Sequence, residues 1–301
     1  MGHRHFCGDG LEWGLSHGMG DGMKHVVVLV GANDRFEGSN YYLCHLVRQW
    51  RRQGVMVTVQ HGPGAVVHAD LAVQHVDQTK VEPAYRAWLK HYPKAVNRGI
   101  SDISKRHISQ QRVLPGDGWT GPVIVKTDRN AGGHKDRRSS TPGLKRWLMD
   151  RLDPWLPLRW RGTLTSSQYP IFDSAQKVPA GVWHNPALMV ERLLCERKGK
   201  RYALRTWSFL GDAELSSVSY GERPVVKGDQ VLGREDGVPV PAALRELRAK
   251  MGFDYGRFDY ALVDGELVLY DTNATPTLGR VPWAQAEARV GPMAQGLAGL
   301  F

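Results

Sequence analysis

Hydrophobic positions along the chain fall into two alternating rhythms. KHVVVLVGAN (24–33), VMVTVQ (55–60) and DLAVQHVD (70–77) are short apolar runs bounded by turn or polar residues, and they read as strands. SNYYLCHLVRQWRRQG (39–54) and PAYRAWLKHYP (83–93) carry apolar residues at helical spacing and stop at Gly54 and Pro93. Strands alternating with helices imply a parallel α/β layer over residues 24–97.

The pattern then changes. ISDISKRHISQQRV (100–113) reads as a helix, and GPVIVKTDRNAGGHKDRRSS (121–140) as a strand entering a glycine-containing basic loop. Residues 141–188 are rich in Trp, Pro and Arg and have no readable period. LMVERLL (188–194) and RYALRTWSFLGDAELSSVSY (201–220) read as strands, the latter turning at Gly211-Asp212. PAALRELRAKMG (241–252) has proline at a helix start and glycine at its stop. A hairpin over 257–273 and a helix over AQAEARVGPMAQGLAGLF close the chain.

Composition adds bounds. With 301 residues and 42% hydrophobic content, the chain can build more than one core. No apolar run approaches the roughly 18 residues of a membrane span, and the first residues lack the apolar stretch of a signal peptide. No membrane partner is therefore expected. Cys7, Cys44 and Cys195 are scattered, with no CxxC, so a reducing cytoplasm is the expected location. HRHFC (3–7) has metal-type ligands but sits in a Gly- and His-rich arm that reads as unordered. Trp183 and His184 read as packing residues. The net charge of +10 suits nucleotide phosphates, acidic substrates or nucleic acid, or simply a solvated basic surface.

The hairpin RFDYALVDGELVLYDTN concentrates the candidate chemistry. A two-residue turn at Asp264-Gly265 pairs Val263 with Glu266 and sends Asp259 and Asp271 to opposite faces. A three-residue loop, Val263-Asp264-Gly265, pairs Leu262 with Glu266, sets Arg257 opposite Asp271 and leaves Asp259 and Asn273 on the same face. In that second register Asp259, Asp271 and Asn273 offer oxygen donors suited to magnesium. The plainer alternative is an Arg257–Asp271 ion pair with Asp259 at the surface.

Phosphates need cations and backbone donors. Lys126 ends a strand, and Asn130, Ala131, Gly132 and Gly133 follow it as a loop that can present N–H groups. Lys105 is a second candidate phosphate lysine. There is no GxxxxGK[ST], which disfavours a P-loop. Arg205, inside an apolar strand, requires a nearby anion, either phosphate or an acidic side chain. Glu191 is placed to meet an adenine amino group or an ion-pair partner.

Taken in order, these pieces resemble the ATP-grasp superfamily over residues 97 to 301. The matching positions are Lys105, Lys126, Asn130–Gly133, Glu191, Arg257-Phe258-Asp259 and Asp271-Thr272-Asn273. GRFDYALVDGELVLYDTNATPTLG is most similar to D-alanine–D-alanine ligases, and RYALRTWSFLGD to ribosomal-protein glutamate ligases and glutathione synthetases. The resemblance implies an N-terminal parallel α/β domain followed by an ATP-grasp fold of two α+β subdomains. The expected divisions are 1–23 as an extension, then 24–97, 98–187 and 188–301.

It also implies roles. Glu191 and the Leu193 backbone would bind adenine between two sheets. Asp259, Asp271 and Asn273 would hold magnesium. Arg205 would touch phosphate, and Arg257 would stabilise a tetrahedral oxyanion. Two positions depart from the family pattern. Asp271 replaces the usual glutamate, and Ala203 stands where an acidic residue grips ribose, leaving Glu196 as the substitute. The activity implied is an ATP-dependent carboxylate–amine ligase that forms an acylphosphate and releases ADP and phosphate. Its partners would be a small-molecule or peptide carboxylate and an amine. The alternatives are a phosphotransferase, or a non-catalytic nucleotide- or nucleic-acid-binding protein motivated by SKRH (104–107) and HKDRR (134–138).

Overall fold

The computed structural model describes residues 23–141, 143–279 and 281–301. HRHFC and Cys7 lie outside them. Strands β1 (His25–Val30), β2 (Met56–His61), β3 (Leu71–His75) and β4 (Ala95–Val96) form a parallel sheet in the order β2-β1-β3-β4. Helices α1 (Tyr42–Arg52) and α2 (Pro83–Leu89) cover its faces. The VVVLV run of β1 explains how. Val26, Val28 and Val30 pack with Leu43, Leu46 and Trp50 of α1, while Val27 and Leu29 pack with Tyr85, Trp88 and Leu89 of α2. A strand buried on both faces carries no polar alternation.

A middle unit follows, with α3 (Lys105–Ile108), β5 (Val123–Thr127), α4 (His134–Ser140), α5 (Gly143–Leu152), β6 (Ile171–Phe172), α6 (Ala180–Trp183) and β7 (Leu188–Arg192). Its small antiparallel sheet has the order β6-β5-β7. The last unit is a six-stranded antiparallel sheet. It comprises β8 (Glu196–Lys198), β9 (Arg201–Leu210), β10 (Ala213–Gly221), β11 (Gly233–Asp236), β12 (Tyr255–Val263) and β13 (Glu266–Asn273). Helix α7 (Ala242–Met251) packs Leu244 on one face against Trp207, Phe209 and Phe258. The fold class is the one expected, a parallel α/β layer followed by antiparallel α+β units.

Three expectations need correction. The helix over 100–113 shrinks to the four residues of α3. The flanking backbone pairs elsewhere: Ile103 N–H to Thr79 O (2.9 Å), and Val113 N–H to Val190 O (2.9 Å). Tertiary hydrogen bonds override local propensity there. Strand β7, expected in the last unit, pairs instead with β5 of the middle sheet. Finally, the closing helix is regular only as α8 (Trp283–Val290), and residues 291–300 continue as 3₁₀ turns. This tail returns to the first layer, where Trp50 Nε1 donates to Ala294 O at 3.0 Å.

Candidate functional site

The hairpin sets the geometry. Its turn is the two-residue one, with Val263 opposite Glu266 and both Asp264 (φ 52°) and Gly265 (φ 85°) left-handed. The three-residue loop of the shared-metal reading is therefore wrong. The carboxylates nonetheless share a face. A bulge between Asp259 and Tyr260 leaves Tyr270 as an extra residue on β13, so Asp259 stands directly opposite Asp271 and Arg257 opposite Asn273. The cross-strand Arg257–Asp271 pair of the plainer alternative does not form. Arg257 Nε instead lies 3.1 Å from Asp259 Oδ1, on its own strand.

These carboxylates line a cavity between the middle and last sheets. Ile124, Leu193, Leu194, Leu204, Val226 and Tyr270 give one part apolar walls. Lys105, Lys126 and Lys227 line the same cavity with Asp259, Asp271 and Glu191. The charges are paired across it: Lys105–Asp271 at 3.1 Å, Lys126–Glu191 at 2.5 Å and Lys227–Asp259 at 3.7 Å. Burial pushes the Asp271 carboxyl up, but Lys105, Lys227 and Lys126 outweigh it and hold the group below its ordinary value. Burial, with Asp271 adding to it, pushes the Tyr169 hydroxyl beside them up to about 12, so it stays protonated.

The donor set suits magnesium. Asp259 is buried, and its Oδ1 faces Arg257 Nε at 3.1 Å without the alignment of a hydrogen bond. Among the described residues no three His, Cys, Asp or Glu side chains gather. Two carboxylates completed by phosphate and water is the arrangement magnesium favours. Asn273 is already engaged, since its Oδ1 accepts the Thr275 N–H at 2.9 Å and Asn130 Nδ2 at 3.4 Å.

Other expected residues lie elsewhere. Leu204 lines the cavity, so its neighbour Arg205 points to the opposite face of β9, the face of Trp207 and Phe209. Its anion is Glu196, held by Nε and Nη2 at 2.8–3.0 Å. Arg205 is therefore turned away from the cavity with its charge paired. Glu196 also accepts the Leu262 N–H at 2.8 Å, so both of its oxygens are engaged away from the cavity. Leu193 lines the cavity, but its N–H goes to Pro122 O at 2.9 Å.

The glycine loop also departs from expectation. Asn130, Ala131, Gly132 and Gly133 do not line the cavity. The Asn130 N–H goes to Thr79 Oγ1 (2.8 Å) and the Ala131 N–H to Asn130 Oδ1 (2.8 Å). Gly132 (φ 67°) accepts the Leu164 N–H at 3.1 Å, and a Cβ there would run into the Leu164 carbonyl. The glycine serves close backbone packing in this structure.

The chain is similar to solved ATP-grasp structures. One is a RimK domain ATP-grasp protein from Sphaerobacter thermophilus, 13% identical, covering 91% of this chain and 100% of that one, with a TM-score of 0.47. Another is D-alanine–D-alanine ligase from Bacillus anthracis, also 13% identical, with coverages of 93% and 96% and a TM-score of 0.42. A third is the macrocyclase MdnC from Microcystis aeruginosa, bound with precursor peptide MdnA, 10% identical, with coverages of 91% and 98% and a TM-score of 0.43. No family model and no curated protein matches the chain. At such identities residue roles do not transfer.

Two features escaped the sequence reading. Lys227 lies in the loop between β10 and β11, in a stretch (ERPVVKGDQ) with no pattern to set it apart from a surface lysine. The second feature is a cluster at the mouth of the first layer. Tyr41 OH donates to Asp77 Oδ2 (2.7 Å) with Asp34 Oδ2 also within reach (3.3 Å), and Thr275 Oγ1 donates to Asp77 Oδ1 (2.6 Å). The Lys135 ammonium sits on Asp77 (2.7 Å) and over the Tyr41 ring (5.1 Å). Burial and the neighbouring Asp77 raise the Asp34 carboxyl. A usable signal existed, because ligands of parallel sheets gather beyond the carboxyl ends of the strands, where Asp34 and Asp77 lie.

Proposed function

We propose that the chain is an ATP-dependent carboxylate–amine ligase that works through an acylphosphate and releases ADP and phosphate. One observation carries the reading. The cavity joins apolar walls to lysine–carboxylate pairs that a magnesium–phosphate ligand can exchange without leaving a charge unpaired. Asp259 and Asp271 would turn to the metal, and Lys105, Lys126 and Lys227 to the phosphates. The apolar walls from Ile124, Leu193 and Leu204 suit a purine face. Bound magnesium would neutralise phosphate charge and align the phosphoryl group for transfer.

The protein's own part is positioning and electrostatics. Arg257, beside Asp259, would stabilise the oxyanion formed when an amine attacks the activated carboxyl, a contribution of about 2.7–4 kcal/mol per donor. The amine is assigned to the Asp34–Asp77–Tyr41 cluster. Two carboxylates and an aromatic face suit an ammonium, and Lys135 already occupies the place with one. Thr275 links that cluster to Asn273 and so to the hairpin.

The test is ADP formation from ATP with panels of carboxylic acids and amines. The reading requires turnover that depends on both, falling about 100-fold or more in Arg257→Ala. Turnover with a hydroxyl acceptor that survives Arg257→Ala identifies a phosphotransferase instead.

A further inference from the structure

Helix α5 is built inside out. Leu144, Trp147, Leu148 and Leu152 share one stripe at helical spacing, the stripe a surface helix normally turns to its core. Here it faces solvent: Leu144 is 82% exposed, Trp147 57%, Leu148 50% and Leu152 50%. The helix buries none of its residues. It is attached by its polar edge, where Asp150 meets the buried Arg137 at 3.0 Å and Arg146 donates to Arg138 O at 3.3 Å. The apolar surface continues past the helix into Trp155 (86% exposed) and Trp160 (61%). A contiguous apolar surface of this kind marks an interaction site.

Its border is cationic. Arg151 lies over the Trp147 ring (5.6 Å) and Arg159 over the Trp160 ring (4.2 Å), with Arg138 and Lys145 exposed nearby. The carboxylates of this segment are engaged: the buried Asp153 and the half-exposed Asp150 bind Arg137, and Asp136 binds Thr79. The outward face therefore combines leucine and indole with guanidinium and ammonium.

We propose that this face seats on an anionic lipid surface. Indole rings and leucines beside Lys and Arg are the composition of an interfacial helix, whose apolar stripe enters the headgroup boundary while its cations meet lipid phosphates. A second copy of the chain would bring the same cationic border against itself. Leu144 (82% exposed) and Trp155 (86%) stand out to solvent, as side chains that enter a headgroup layer must. Among the described residues no helix is long and apolar enough to cross a membrane, so the contact is peripheral adsorption. The proposal departs from the expectation of no membrane partner, which rested on the lack of a spanning run and of a signal-peptide stretch.

The experiment is co-sedimentation of the full chain with vesicles of phosphatidylcholine alone, or of phosphatidylcholine and phosphatidylserine at about 3:1. It is run on the native chain and on Leu144→Ser/Trp147→Ser/Leu148→Ser. These side chains are exposed, so the variant should keep its circular dichroism and melting temperature. The expected result is binding to the serine-lipid vesicles that falls at least tenfold without the anionic lipid, tenfold in the triple variant, and steeply with salt. The proposal is overturned if the native chain ignores anionic vesicles or the triple variant binds them equally. It is also overturned if the same residues instead mediate binding to poly-glutamate or self-association while vesicles are not bound.

Discussion

Asp259 and Asp271 face each other directly across the β12–β13 hairpin because Tyr270 is one residue too many on its strand. With the two-residue turn and no bulge, the period of two would send the carboxylates to opposite sides of the sheet. The extra residue also serves the site. Tyr270 lines the cavity and ties its hydroxyl to Leu194 O at 2.5 Å, joining the hairpin to the segment after β7.

Lys227 is half-exposed and contacts Asp259 only at 3.7 Å, so its loss should leave stability nearly unchanged. Lys227→Ala is expected to weaken Mg-nucleotide binding about tenfold, ~1.4 kcal/mol, by calorimetric titration. Unaltered affinity would remove Lys227 from the phosphate site.

Arg205 and Glu196 should behave in the opposite way. Both are mostly buried and lie on the far face of β9, so Glu196→Gln leaves a guanidinium without its anion. A loss of about 2–3 kcal/mol in denaturant unfolding is expected, with nucleotide affinity preserved in the folded protein. A stable variant that no longer binds nucleotide would restore Arg205 or Glu196 to the site.

Gly132→Ala separates packing from phosphate binding in the glycine loop. The left-handed backbone alone costs an alanine ~1 kcal/mol, and the Leu164 carbonyl leaves no room for its Cβ. The melting temperature should fall by several degrees, while the nucleotide dissociation constant measured well below the transition stays within about twofold. Unchanged stability with lost affinity would mean that the loop works as a phosphate clamp.

Asp153 predicts an acid dependence. Burial pushes its carboxyl up, but hydrogen bonds from Thr163 and Gly162, together with Arg137, outweigh burial and hold it below its ordinary value. A depressed carboxyl stabilises the fold above its unfolded pKa, and that stability is lost as pH falls through the lower, folded pKa. Asp153→Asn should cost about 2 kcal/mol at pH 7 and flatten the acid limb of the stability curve. An unchanged acid limb would remove this carboxylate as its source.

The pattern of what could be read in advance has physical causes. Strands such as β1 and β5 and helices such as α1 and α7 were legible because burial imposes period two, period 3.6 or unbroken apolar runs. The bulge at Tyr270 was not, since an added residue between LVL and DTN leaves no compositional mark. Arg205 was correctly read as needing an anion, but which face of β9 it takes depends on register with β12, a non-local property. The helix over 100–113 failed for a related reason, because partners at Thr79 and Val190 claim its backbone.

The most direct measurement is thermal unfolding with and without saturating Mg-ATP, on the native chain and on Asp259→Asn/Asp271→Asn. A ligand at about 100 times its dissociation constant stabilises by ~2.7 kcal/mol. The expected result is a magnesium-dependent upward shift in the native chain that disappears in the double variant. A native chain that shows no shift, or a double variant that keeps it, would contradict a magnesium–nucleotide site at the facing aspartates.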